Sequence, residues 1–541
     1  MSNEIYHRSN WGNPKPEGWG DIYFDPSATN KLYNHSDYYE NSDGTDKILR
    51  DIPNKASIVL TPTAYSDGSI NTVIPPYGLG VELVTNGTFD TDSDWIKETG
   101  WSIGENGASH NGVAGAIYQT NSSIINGRTY KISLTVLNVT SGTLTPFIAG
   151  TNSNLSINQD GSYSAIVVAG SGTRSIDLFS NASFVGTVSN VSVKEVQEAD
   201  FDFSRGSSAT RVNEKGLIEE VASGIPRIDY TDGTGSWLLE PQSTNLLPYS
   251  EDFTQWILGT NSTLTFESNV IAPDGSLGVY RLQHPQTSST FLAGGFANCR
   301  NFSLFVKAVT EGVNNQFNLD ATGQPTDTKT ATTKWQRFDR DFGTQANYSL
   351  SINNGIDNYA SDIYIWGAQA EVISYATSYI PTNGSTVTRS ADVANNSGNA
   401  DLFNDSEGVL YAEIAALADD ATSRRISLSN GFNRNKVEIL FQNSGTVSSR
   451  VRSGNSFQGS GTFNLTQTEY NKIAVKYKSN DLALWVNGLE RSTDNSANTP
   501  IGLSELAFDN GVGGSDFYGK VKCVAVFKEA LTDAELESLT S

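Results

Sequence analysis

The chain has 541 residues and carries 36 Lys plus Arg against 59 Asp plus Glu, a formal charge of −23. That length holds three or four domains of about 100 to 200 residues each. The charge repels nucleic acid and anionic membrane surfaces and favours neutral or cationic partners such as glycans.

Forty-nine glycines and a single methionine suit an all-β chain in which small residues serve many turns, and helical patterns are nearly absent. Cys299 and Cys523 are far apart in apolar runs and read as buried thiols, so no disulfide framework is expected. The N-terminal "MSNEIYHRSNWGNPKPEGWG" has no basic stretch leading into an apolar core, and no run of about 18 apolar residues occurs anywhere. The expectation is a chain that is neither a secretory precursor nor inserted in a membrane.

Residues 1–80 hold seven of the 16 prolines and ten aromatic residues, among them Trp11, Trp19, Tyr23 and Phe24. Proline removes a backbone donor and fixes φ, so this region reads as an extended, irregular arm that docks through aromatic side chains.

Residues 81–197 read as a β-sandwich. In "RTYKISLTV", Tyr130, Ile132, Leu134 and Val136 face one way and Lys131, Ser133 and Thr135 the other, the period of a half-buried strand. "GSYSAIVVAG", "SIDLFS" and "GTVSNVSVKEV" continue the pattern. Residues 198–244 read as a connector. There Val212 and Leu217 flank a turn with Gly216 at its left-handed position, and Arg205, Arg211 and Arg227 are expected to pair with nearby acids such as Glu214, Glu219, Glu220 and Asp229.

Residues 245–390 echo the first sandwich. "VTNGTFDTDSDW" is matched by "LLPYSEDFTQW", "YKISLTVLNV" by "RNFSLFVKAV", and "VSNVSVKEV" by "DIYIWGAQAEV". Three correspondences in the same order argue for a duplicated sandwich, with two independent sandwiches as the alternative. Residues 391–541 form a third. Ile473, Val475 and Tyr477 share a face, the chain turns at Ser479 and Asn480, and Leu482, Leu484 and Val486 return inward to a second turn at Asn487 and Gly488. A short helix ends the chain: Thr532 caps it, Glu535 completes a capping box, and Leu531 with Leu536 makes a hydrophobic staple. The fold class is therefore all-β, several antiparallel sandwiches in series behind an extended arm.

The phrases "FDFSRGSSATRVNEKGLIEEVASGIPRIDY", "LLEPQSTNLLPYSEDFTQW", "IYIWGAQAEVISYATSYIPTNGSTVTRSAD" and "YGKVKCVAVFKEALTDAELESL" resemble segments of modular tailed-phage and prophage structural proteins. These are fibre-like proteins with carbohydrate-binding-module-like sandwiches and a concanavalin A-like, laminin-G-like end. The resemblance implies a virion fibre or appendage subunit, on head or tail, made in the host cytoplasm and homotrimeric. Residues Trp11, Trp19, Tyr23 and Phe24 would then anchor the arm to other virion proteins while the sandwiches display host-surface glycan sites. A tailspike-like polysaccharide depolymerase and a capsid-decorating head fibre without glycan specificity are the competing readings.

Motifs for catalysis are missing. His7, His35, His110 and His284 are scattered, and neither H-E-x-x-H nor G-x-S-x-G occurs. The E-x-D-x-x-E run that would set two carboxylates about 5 Å apart on one strand is absent as well. A non-enzymatic protein needing no cofactor is expected. Asp90, Asp92 and Asp94 alternate in a way that suits oxygen ligation of Ca²⁺, but Trp95 stands where the calcium loop needs Gly and Trp101 where it needs Glu. A structural calcium and a solvated acidic turn both stay open. Sugar binding calls for an aromatic face beside polar groups, which makes Trp95, Trp101 and Tyr118 the candidates in the first sandwich, Trp256 and Trp335 in the second and Trp485 in the third. The competing reading for each tryptophan is core; Trp485 alone is placed opposite Leu484 and Val486 and is expected to point outward.

Overall fold

The computed structural model describes residues 22–25, 31–34, 55–73 and 78–541, except 182, 198, 286–290, 355–359, 443–444, 455 and 460. Among the described residues the regular structure is almost wholly antiparallel strand, with one α-helix, the eight-residue Asp533–Thr540. It divides into two compact units, Pro75–Glu198 and the remainder.

In Pro75–Glu198 a five-stranded sheet runs in the order Thr151–Asn152, Leu144–Ile148, Ile176–Ser180, Gly115–Gln119, Ile96–Lys97. A six-stranded sheet is centred on Thr129–Ser141 and Val185–Gln197. Their inward residues form one core that includes Tyr130, Ile132, Leu134, Val136, Ile117, Leu178 and Val193. The alternation read from "RTYKISLTV" thus sets the burial of that strand residue by residue.

The second segment is a single eight-stranded sheet organised around two 18-residue strands, Phe291–Ala308 and Gln336–Asn353. β-Bulges interrupt their pairing between Ala293 and Gly295 and between Cys299 and Asn301. Although the sheet layout differs from the first sandwich, the sequence echoes are spatial. Thr129–Ser141 pairs with Val185–Gln197, and the echoed Phe291–Ala308 pairs with Ser361–Glu371. In both corners a Phe packs on the Trp, Phe89 on Trp95 and Phe253 on Trp256, and the indole donates to a carbonyl several residues earlier.

The third segment has an eight-stranded and a six-stranded sheet over the largest core. Its hairpin has the expected register, Ile473 opposite Val486 and Val475 opposite Leu484, with Asn480, Asn487 and Gly488 at positive φ. Thr532 and Glu535 cap the terminal helix reciprocally. The connector hairpin forms as read, Ala209–Val212 against Ile218–Val221, with Gly216 at φ 76°.

Two boundaries are corrected. Ala56–Leu60, placed in the arm by its sequence, is a strand of the third sandwich: Ile58 pairs with Val526 and Leu60 with Val524. The connector supplies two more strands to the same sheet, Ile228–Asp229 and Ser236–Leu239, where Trp237 pairs with Val521. The outer edge of Gly519–Phe527 would otherwise leave its backbone donors and acceptors open, and these two distant segments share that edge end to end. Cys299 and Cys523 are both buried, and neither is part of a disulfide.

Candidate functional site

Most of the aromatic candidates are core. Trp95, Trp101 and Trp256 are buried, and each indole N–H is spent on a backbone carbonyl, of Asn86, Gly115 and Tyr249 respectively. Trp485 does not face outward to solvent. It lies on the outer side of the eight-stranded sheet but is buried there with Leu531, Leu536 and Leu539, because the terminal helix covers that side. Trp335 is half-buried, donates to the Ile271 carbonyl at 2.8 Å and has the Lys307 ammonium 6.0 Å from its ring centroid.

Asp90 accepts from Thr88, Asp92 pairs with Lys97 and Asp94 accepts from Ser93. Among the described residues no group of three or more His, Cys, Asp or Glu is placed to hold a metal ion. Of the anchoring candidates, Trp11 and Trp19 lie outside the described residues; Tyr23 and Phe24 sit in the strand Ile22–Asp25, paired with Lys31–Asn34, with their side chains outside the description.

Tyr118 is the candidate that the fold brings together with other groups. Cross-strand pairing sets Ile96, Tyr118, Asp177, Phe147 and Asn152 in one row across the five-stranded sheet, and Ala116, Phe179 and Thr145 in the next. The intervening Ile117, Ile176 and Leu178 fill the core, so the rows face outward. The Arg174 guanidinium lies 4.3 Å over the Tyr118 ring and binds Glu98 at 2.5 Å, with Asp177 at 3.6 Å. Asp177 Oδ1 is buried without a hydrogen-bond partner, and burial holds its carboxyl above the usual range against the pull of Arg174. Phe179 is 42% exposed beside this group. An apolar ring edge next to two carboxylates and a guanidinium can meet a sugar's C–H face and its hydroxyls together. Sequence reasoning named Tyr118 and missed Asp177 and Phe179, though the alternation in "SIDLFS" already sets those two on one side.

In the second segment Arg281, Tyr364 and Lys307 form an outward row, with Arg281 bidentate to Asp362 at 2.7 Å on both arms. The aromatics Trp366 and Tyr379 are buried in one cluster with Ala272, Val279 and Ile218 of the connector hairpin.

Residues 394–537 match the family described as the concanavalin A-like lectin/glucanases superfamily, Laminin_G_3. The match falls on the third sandwich. Partial similarity to solved structures includes the Ruminococcus gnavus IT-sialidase CBM40 at 18% identity, covering 27% of this chain and 94% of that one with a TM-score of 0.24. Domain 4 of the Geobacillus stearothermophilus arabinanase AbnA matches at 9% identity over 31% and 84% of the two chains, TM-score 0.25. The CBM22 tandem of Paenibacillus barcinonensis Xyn10C matches at 11% over 55% and 99%, TM-score 0.21. No curated protein matches the chain.

Proposed function

We propose that this chain is a glycan-binding structural protein of a tailed phage, a fibre or appendage subunit that displays its sandwiches without turning polysaccharide over. The observation that carries the binding half is the outward group of Tyr118, Phe147 and Phe179 with Arg174, Glu98 and Asp177 on the first sandwich. Strands hold Tyr118, Phe147, Asp177 and Phe179, and the ion pair between Arg174 and Glu98 fixes the two residues that lie just outside them, so little ordering cost falls on binding. The concanavalin A-like family match over residues 394–537 supports the reading of sandwich modules. The fibre setting, the homotrimer and attachment through the N-terminal segment are supported by the resemblance of the quoted phrases to phage structural proteins.

A glycan array on the full chain tests this reading, with Tyr118→Ala and Phe179→Ala as variants. Retention of a neutral glycan that either variant weakens at least tenfold is the expected result. Absence of any retained glycan, or shortening of a retained polymer on incubation, overturns it.

A further inference from the structure

The six-stranded sheet of the third sandwich carries a cluster whose sign opposes the chain's overall charge. Arg424–Ser429, Lys436–Gln442 and Thr446–Ser453 are hydrogen-bonded neighbours, with Ser427 opposite Glu438, Glu438 opposite Arg450, and Lys436 opposite Arg452. Strand alternation places Arg425 on the same side as Ser427. Arg425, Lys436, Glu438, Arg450 and Arg452 therefore project from one face, while Ile426, Val437, Ile439 and Val451 on the other face belong to the core.

The single carboxylate in the middle is already taken. Glu438 Oε1 accepts from Lys436 at 2.6 Å and from Arg425 at 3.1 Å. Arg452 donates to the Asn433 carbonyl at 2.9 Å. The remaining nearby acids serve the other end of the face: Asp509 accepts from Gly511 N–H, Asp516 from the Tyr518 hydroxyl, and Glu505 from Asn396 N–H. Gly511, at φ 78°, presses against Ser429, where a Cβ would meet the serine Cβ at 2.6 Å, so the loop closes that end.

Arg450 is left over. It is half-buried, and among the described residues its guanidinium has no hydrogen bond and no ion pair. Burial and the charges of Arg425 and Arg452 weigh against its own charge, and the attraction of Glu438 offsets them only in part. The Arg425 Nε is buried and also lacks an acceptor. Leaving the buried Arg425 Nε unmet is costly, while the half-exposed Arg450 guanidinium has donors to offer an anion. Phe457, 50% exposed, stands opposite Arg452 on the next strand, and Phe432, 67% exposed, lies on the turn between the first two strands.

We propose that this face binds an acidic polysaccharide, with the sugar's carboxylate or sulfate seated on Arg450 and a pyranose face on Phe457. The guanidinium fork matches either anion bidentately, and an aromatic ring meets the C–H groups that a bare phosphate chain does not offer. A net charge of −23 opposes non-specific association with a polyphosphate such as DNA, which offers no pyranose C–H face to Phe457. The site is separate from the Tyr118 face and stands without it.

The test is affinity measurement on the full chain with polygalacturonate, dextran sulfate, neutral dextran and a DNA duplex. The expected result is retention of polygalacturonate or dextran sulfate, weakened at least tenfold by Arg450→Gln and restored in part by Arg450→Lys, which keeps the charge but not the fork, with Tyr118→Ala leaving it unchanged. Whichever of the two polymers is held tighter identifies carboxylate or sulfate as the anion. Arg450→Gln is expected to melt no lower than the parent, since it removes an unpaired cation. Failure to retain either acidic polymer, equal binding by Arg450→Gln, a lowered melting temperature with no rescue by lysine, or tighter binding of DNA overturns the proposal. Retention of neutral glycans through Tyr118 in the same experiment would leave the first function standing while this one falls.

Discussion

Arg227 binds Asp392 at 2.5 Å with neither side chain exposed, across 165 residues of sequence. Asp392 also takes Arg205 at 3.1 Å and the Glu240 N–H at 2.8 Å, and Arg227 reaches Glu240 at 2.8 Å. This buried network joins the connector to the strand Val393–Asn395 that follows Asp392. Two charges in a dry site are stable only as a set, because removing one strands the others in low dielectric.

Replacing Asp392 by Ala is therefore expected to cost about 3 to 5 kcal/mol, as two buried guanidinium groups lose their shared partner. Asp341→Ala, which breaks the half-exposed Arg300 pair at 2.8 Å, is expected to cost less than about 1 kcal/mol. Urea denaturation of both variants checks the contrast. Equal losses would contradict the central place given to Asp392.

His284 gives the second segment a defined acid sensitivity. The ring is buried, with Ser262 Oγ 2.9 Å from Nδ1, and burial lowers its pKa to about 4. The unfolded chain takes up a proton near the usual 6.5, while the folded chain refuses it until about 4. Its contribution is thus complete above pH 6.5 and lost as pH falls toward 4, up to about 3 kcal/mol. His284→Gln is expected to flatten that part of the stability profile, measured by denaturant melts between pH 7 and 4.5.

Trp485 should behave as packing and not as a sugar platform. Truncation to Ala opens a cavity under Leu536 and Leu539 and is expected to cost about 3 to 5 kcal/mol, with glycan retention unchanged once the protein is folded. Trp485→Phe is expected to cost much less, because the indole Nε1 is buried without an acceptor and its removal also relieves that penalty. Thermal melts with a parallel binding assay separate the two roles.

The connector shows where local reading stops. Arg211 does pair with its neighbour Glu219 at 2.7 Å, as proximity in sequence suggests. Arg205 and Arg227 take Asp392 and Glu240 instead, and Glu214 accepts from the Tyr230 hydroxyl. Side chains this long reach whatever the fold sets beside them, so sequence spacing constrains them weakly. The tryptophans divide for a related reason. Hydrophobicity places Trp95, Trp101 and Trp256 in the core, but which face of a sheet becomes covered depends on elements that arrive from elsewhere, as the terminal helix does over Trp485.

What the sequence determines by itself is local: the period of two that makes strands, the turn residues at Asn480, Asn487 and Gly216, the capping box at Thr532 and the seclusion of both thiols. Each of these follows from contacts within a few residues, where backbone geometry leaves few choices. The tertiary structure alone decides that Ala56–Leu60 completes a sheet edge nearly 470 residues away. It also decides that Phe179 joins Tyr118 and that the acid opposite Arg450, Glu438, is bonded to Lys436 and Arg425 instead. Those outcomes depend on cross-strand register, which couples residues by space and is invisible to composition or net charge.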